Sequence, residues 1–246
     1  MYRVVVPARY ASTRLPGKPL LVLAGKPMIQ WVVERAQRSR AQQVVVATDD
    51  ERIAQAAIGF GADVQLTSPD HASGTDRIAE VARLRHWCDD DVIVNLQGDE
   101  PLMPAILIDQ VAALLTSHPS ADIATLAVPL QTESGREDPN VVKVVTDLQQ
   151  RALYFSRAPI PFVREQTGSI GSARRHLGLY AYRVAALQRL AGMSPSALEQ
   201  LERLEQLRAL ENGMDIRVAD ALVTPGGDVN TFADVARVEE LLAAGI

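Results

Sequence analysis

Tyr2-Arg3-Val4-Val5-Val6 runs straight into Pro7-Ala8-Arg9-Tyr10-Ala11-Ser12-Thr13-Arg14-Leu15-Pro16-Gly17-Lys18, and this junction decides the fold. The first segment is a short β-branched run, as expected of a strand buried on both faces. Beyond the loop, Pro27 to Arg38 has helical periodicity, with Ile29, Val32, Val33 and Ala36 on one face and Pro27 suited to the first turn. The alternation then repeats. Val44 to Ala47 reads as a strand. Thr48-Asp49-Asp50-Glu51 caps a helix that Gly59 and Gly61 end, and Ala62 to Leu66 is a third strand. Ser73 or Thr75 caps a helix to about Trp87, Val92 to Leu96 is a fourth strand, and Pro104 to Leu115 is a further helix. Strands alternating with helices imply an α/β fold with a mainly parallel sheet flanked by helices.

The second half is less regular. Ile123 to Val128, Val141 to Val145, Ala152 to Phe155, Leu177 to Tyr182 and Ile216 to Ala219 read as strands. Leu198 to Leu210 reads as one strong helix, and Thr231 caps a last helix to about Ala244. A Pro-, Gly- and charge-rich excursion around residues 156–174 reads as a lid or a dimer contact. With no repeat and no obvious linker, residues 1–246 read as a single domain.

Composition narrows the function classes. Hydrophobic residues make up 47% and the formal net charge is -5, so a general nucleic-acid or membrane-surface binder is disfavoured, both partners being polyanions. The lone Cys88 allows no internal disulfide and fits a reducing, cytoplasmic setting. The N-terminal segment lacks the pattern of a signal peptide, and no apolar run approaches a membrane span.

In open parallel sheets ligands bind beyond the carboxyl ends of the strands, which singles out the loops after Val6, Leu66 and Leu96. The first carries Arg9, Arg14 and Lys18 among the small residues Ala8, Ala11 and Ser12, an arrangement suited to a triphosphate. It matches neither the Walker loop nor the dinucleotide fingerprint. By spacing alone it serves equally as a phosphate grip or a solvated basic loop. The loop after Leu96, Gln97-Gly98-Asp99-Glu100, offers Asp99 as a Mg²⁺ ligand or as an ordinary acidic turn. Between them, His71-Ala72-Ser73-Gly74-Thr75-Asp76-Arg77 opens a helix, either as an anion site or as a simple cap. His176 follows Arg174 and Arg175, which favour an anionic substrate, although a histidine at a strand start is more often structural.

Seven segments then match one pattern in order. These are Pro7 to Leu20, His71 to Val81, Val94 to Pro101, Ala124 to Pro129, Tyr154 to Pro161, Arg175 to Arg183 and Leu204 to Gly213. Together they resemble the 3-deoxy-manno-octulosonate (KDO) cytidylyltransferases over nearly the whole chain. The resemblance implies a GT-A-like, Rossmann-like nucleotidyltransferase fold and a homodimer. It also implies transfer of CMP from CTP to KDO with Mg²⁺, as a step toward lipopolysaccharide. It assigns the triphosphate to Arg9 and Lys18, and nucleotide seating to Pro7, Ala8, Arg14, Ser73, Gly74, Thr75 and Gln97. Asp99 takes the metal and, with Arg9 and Lys18, the catalytic role. The sugar falls to Gln97, Arg157, His176, Tyr180, Glu205 and Gln206, with Arg157 or Arg175 as the partner of its carboxylate. The chain departs from the pattern at one place. Where a second metal-binding aspartate is expected in Val-Asp-Thr, it reads Val229-Asn230-Thr231, with Asp228 as a nearby carboxylate. Asn230 offers Mg²⁺ a single neutral oxygen, a weaker ligand than a carboxylate.

Overall fold

A computed structural model describes residues 1–11, 15–164 and 170–244. In chain order the first half holds β1 (Tyr2–Ala8), a 3-10 turn (Lys18–Leu20), the short strands β2 (Val22–Leu23) and β3 (Lys26–Pro27), α1 (Met28–Gln37), β4 (Val44–Thr48), α2 (Glu51–Gly59), β5 (Asp63–Leu66), α3 (Gly74–Leu84), β6 (Val92–Asn95) and α4 (Ala105–Ser117). The second half holds β7 (Ile123–Pro129), α5 (Glu133–Glu137), β8 (Lys143–Thr146), β9 (Ala152–Ser156), β10 (Arg174–Arg183), α6 (Val184–Ala191), α7 (Ala197–Glu202), α8 (Gln206–Glu211), β11 (Ile216–Asp220) and α9 (Phe232–Ala243).

The main sheet runs β11-β7-β10-β6-β1-β4-β5, with β8 beside β10 and β9 beside β8. β1 pairs in parallel with β4 and β6, and β5 with β4. β10 is antiparallel to both β6 and β7, so the parallel order expected from the first half is interrupted once in the middle of the sheet.

Side chains alternate along β1 and sort the core into two layers. Val4 and Val6 face α1, α2 and α4 through Ile29, Val32, Ile53, Leu107 and Val111. Val5 faces α3, α6 and α8 through Ile78, Val81, Leu187 and Leu207. A third cluster joins α9 (Val238, Leu242) to Leu15, Leu23, Met28 and Val229, and so brings the C-terminal segment against the loop after β1.

Helix starts follow the expected chemistry. Asp50 caps α2, and Ser73 and Thr231 form capping boxes with Asp76 and Asp234 at α3 and α9. Two readings need correction. The helix expected to reach Trp87 ends at Leu84, because His86 turns left-handed at φ 54° and the Trp87 amide donates back to the Ala82 carbonyl. The helix expected over Leu198 to Leu210 is two helices, α7 and α8. Arg203 takes φ 54° between them, and the break turns Glu205 and Gln206 inward. α6, directly after β10 with no side-chain cap, has no counterpart in the sequence reading. Residues 157–164 and 170–173 of the excursion carry neither helix nor strand, and 165–169 fall outside the described residues.

Candidate active site

The loops singled out by the strand-end rule meet around a cavity of about 240 Å³. β1 contributes Pro7 and Ala8, followed by Arg9; the 3-10 turn gives Lys18; the start of α3 gives Ser73, Gly74 and Arg77; the loop after β6 gives Gln97, Gly98 and Asp99. Their closeness depends on missing side chains. A Cβ on Gly98 would lie 2.8 Å from the Pro7 carbonyl oxygen, so only glycine lets the β6 loop pass under β1. Gly17, at φ 68°, supplies the left-handed turn that starts the Lys18 segment.

Two of the cations at this cavity are paired with acids, and one has no pair among the described contacts. Arg9 is exposed at its rim, whereas Arg77 is buried beneath it, 3.3 Å from Asp49 and bonded to the Thr67 hydroxyl. Lys18 donates to Asp99 at 2.6 Å and to the Asn230 side-chain oxygen at 3.4 Å. The Asn230 amide nitrogen in turn donates to Asp228, and the Val229 amide donates to the Asp99 carbonyl at 3.0 Å. The segment before α9 is thereby held against the β6 loop. Glu100 adds an acid with one oxygen out of solvent and unpartnered. Burial pushes its carboxyl up to about 8, the charges of Asp99 and Asp228 add to the rise, and Arg175 opposes it.

A second cavity of about 210 Å³ adjoins the first, and Gly74 and Gln97 line both. Its walls are Thr75, Asn95, Tyr180, Tyr182, Glu205 and Gln206, closed by Ile123 and Leu190. Burial raises the Glu205 carboxyl above its ordinary range, against the Thr75 and Ser73 hydroxyls that donate to it. The same two residues open α3 at the first cavity, so one hydrogen-bonded group spans both. Burial also raises Tyr180 and Tyr182 well above the ordinary phenol value.

The structure gathers most of the candidate residues and separates a few. Pro7, Ala8, Arg9, Lys18, Ser73, Gly74, Gln97 and Asp99 line the first cavity; Thr75, Tyr180, Glu205 and Gln206 line the second. Arg14 lies outside the described residues. His176 does not line the second cavity; its ring centroid lies 5.2 Å from that of Tyr180, which does. Arg157 lines neither. Its guanidinium donates to the Glu202 carbonyl at 2.7 Å, the Pro139 carbonyl at 2.8 Å and the Arg203 carbonyl at 3.5 Å, which ties β9 to the end of α7. Arg175 carries no such clamp among the described hydrogen bonds. The sequence reading missed Arg77, Asn95 and Tyr182. Tyr182 was findable as the same-face neighbour of Tyr180 on one strand. Asn95 was findable as a lone polar residue ending a buried strand, and Arg77 as a cation one turn inside a capped helix.

A family model described as cytidylyltransferase matches residues 3–216. A 3-deoxy-manno-octulosonate cytidylyltransferase of Thioalkalivibrio sulfidiphilus is 56% identical over 99% of both chains. The chain belongs to this family. A further member, from Pseudomonas fluorescens, is 54% identical over 99% of this chain and 98% of its own. A solved CMP:2-keto-3-deoxy-manno-octonic acid synthetase in complex with CTP superposes with TM-score 0.92 at 41% identity, covering 100% of this chain and 99% of its own. As a member of the family the chain is a nucleotidyltransferase on an α/β, Rossmann-like fold, and its two joined cavities are the candidate places for two substrates. No helix among the described residues is long and apolar enough to cross a membrane.

Proposed function

We propose that the chain transfers CMP from CTP to the anomeric hydroxyl of KDO, releasing pyrophosphate and giving CMP-KDO for lipopolysaccharide. The observation that carries this reading is the pair of adjoining cavities, joined at Gly74 and Gln97, one flanked by cations and the other by largely buried hydrogen-bonding groups with no cation among them.

The triphosphate belongs in the first cavity. Arg9 and Lys18 neutralise the β- and γ-phosphates, while Ala8, Gly74 and Gly98 let the ligand approach the backbone. Ser73 and Gly74 place the positive end of α3 beside the same anion. Arg77, held by Asp49, adds a fixed charge below the floor. KDO belongs in the second cavity, where Gln97, Tyr180, Glu205 and Gln206 orient its hydroxyls and Arg175 meets its carboxylate. The attacking hydroxyl then approaches the α-phosphate at the junction, in line with the leaving pyrophosphate. Little covalent chemistry is asked of the protein, and catalysis rests on positioning and charge neutralisation.

A divalent cation fits this site. Asp99 and Asp228 form a negative excess that, among the described contacts, the Lys18 ammonium meets at Asp99 alone, and the rise of the Glu100 carboxyl reflects, after burial, these two charges. No group of three acids, histidines or cysteines among the described residues forms a ready-made cage. Mg²⁺ needs none, since it takes one or two carboxylates with substrate phosphates and waters. Asp99 would hold it, with Asp228 or the Asn230 oxygen as second ligand, and when bound it would offset charge on the phosphates. The assembly is proposed to be a cytoplasmic homodimer, supported by the exposed apolar Leu148 and Leu153 on the β8–β9 hairpin and Phe162 in the excursion and by the absence of any cysteine besides Cys88.

The test is pyrophosphate release from CTP and KDO with Mg²⁺. Release that needs both substrates supports the reading. Folded protein that releases none, or releases it from CTP alone, sinks it.

A further inference from the structure

Thr125 sits in the middle of β7, fully buried. Its hydroxyl oxygen has three close neighbours: the Leu179 carbonyl oxygen at 2.8 Å, the Leu177 carbonyl oxygen at 3.1 Å and His176 Nε2 at 2.9 Å. These meet because the register between β10 and β7 slips between Leu177 and Tyr180, which turns both carbonyls of the irregular stretch onto Thr125.

A hydroxyl has one proton to give, and a carbonyl can only accept. If that proton pointed at Nε2, the hydroxyl oxygen would face two carbonyl oxygens at 2.8 and 3.1 Å with no proton between them. In a buried place this costs repulsion and leaves acceptors unpaired. The proton therefore goes to a carbonyl, and the only arrangement left for the third contact is His176 Nε2–H donating to the Thr125 oxygen. In a neutral imidazole the other nitrogen, Nδ1, is then a bare acceptor. The ring is held on both sides, edge-on to Phe155 at 5.0 Å and tilted against Tyr180 at 5.2 Å. Burial, with the Arg175 charge beside it, pushes the ring's pKa down to about 3, so it stays neutral at ordinary pH.

We propose that Thr125 is a positioning residue for the sugar half of the site: it fixes the His176 ring, packed against Tyr180 of the cavity wall, in the Nε2–H form, so that Nδ1 is left as the acceptor for a sugar hydroxyl that reaches past Tyr180 and His176 takes no part in holding the sugar's carboxylate. The role rests on the reading of the second cavity as the KDO site. It divides recognition by chemistry. The ligand must bring a hydroxyl donor toward His176 and an anion toward an arginine.

The experiment uses ¹⁵N-labelled full-length protein and long-range ¹H–¹⁵N correlation of its four histidines, with His176→Asn to identify the signal. The wild type is expected to show a protonated Nε2 and a bare Nδ1. Thr125→Ser keeps this pattern and the KM for KDO. Thr125→Val, close in shape but without the hydroxyl, loses the Nε2–H preference and raises the KM for KDO about tenfold, the equivalent of one hydrogen bond, while the KM for CTP holds. A wild-type ring protonated on Nδ1, or Thr125→Val protein that keeps the tautomer, overturns the assignment. Should Thr125→Val fail to fold, the wild-type and Thr125→Ser spectra still decide it. The two readings fail separately. A correct tautomer with a KDO KM indifferent to both Thr125→Val and His176→Asn overturns the sugar reading of His176 and with it this role. A wrong tautomer with His176→Asn still raising the KDO KM overturns the role of Thr125 alone.

Discussion

The two cavities are built in opposite ways. The phosphate half is assembled from loops that follow β1, β5 and β6, each a strand end in a parallel unit, and its charged groups, apart from the buried Arg77, reach solvent. The sugar half is assembled around β10, which runs against its neighbours, and the break between α7 and α8; no cation lines it, and its groups are largely buried. Charge in the first half is fixed by pairing, as in Lys18 with Asp99 and Arg77 with Asp49. Polarity around the second is set by hydrogen bonding, as at Thr125 and Glu205, with the Asn95 side-chain oxygen on its wall left without a partner among the described residues. Changes to the first half should thus act through charge, and changes to the second through geometry and protonation.

The largest expected effect is at Lys18. Lys18→Met should lower kcat/KM for CTP by about 10³-fold, the scale for loss of a preorganised charge on the transferring group. Steady-state kinetics check this, and a loss below about tenfold would leave the phosphate assignment without its main contact. Arg77→Ala comes next. It strips the partner from half-buried Asp49 and should lower stability by about 3 kcal/mol, measured by denaturant unfolding. Unchanged stability would mean Arg77 has no structural part in the floor.

His176 sharpens the contrast through pH. Its folded pKa lies below its ordinary value, so the unfolded chain binds a proton that the folded chain refuses between about pH 6.5 and 3. That stability is fully present above pH 6.5 and is lost as pH falls through the window, by up to about 1.4 kcal/mol per pH unit. His176→Gln should flatten this part of the stability profile; an unchanged acid limb would show that the ring is not held neutral. Ser73→Ala should cost about 1 kcal/mol through the lost α3 cap and also weaken CTP binding, since the capped turn lines the first cavity. Asn230→Asp is the smallest. A carboxylate in place of the neutral oxygen should lower the Mg²⁺ concentration needed for half-maximal rate several-fold. If that requirement does not fall, Asn230 is not a weakened ligand.

Legibility in the sequence follows the same division. The phosphate half announces itself locally: a β-branched strand, then a loop dense in cations and small residues; a capping serine; a glycine-aspartate after a buried strand. The sugar half has no such local record. Nothing between Arg183 and Val184 marks the change from strand to helix, so α6 leaves no local signal. The α7–α8 break depends on Arg203 adopting a left-handed backbone, and uninterrupted helical residues from Leu198 to Leu210 conceal it. Arg157, expected at the sugar, spends its donors on backbone carbonyls contributed by segments 18 and 45 or more residues away. Such partners are set by tertiary contact, and periodicity along one chain does not carry them.

The central claim is that each cavity serves its own substrate, and a two-substrate kinetic comparison of Lys18→Met with Gln206→Ala tests it most directly. Gln206→Ala should raise the KM for KDO about tenfold or more and leave the KM for CTP within about twofold, while Lys18→Met impairs use of CTP first. A Gln206→Ala protein that is folded and raises both KM values equally, or raises that for CTP alone, would contradict it.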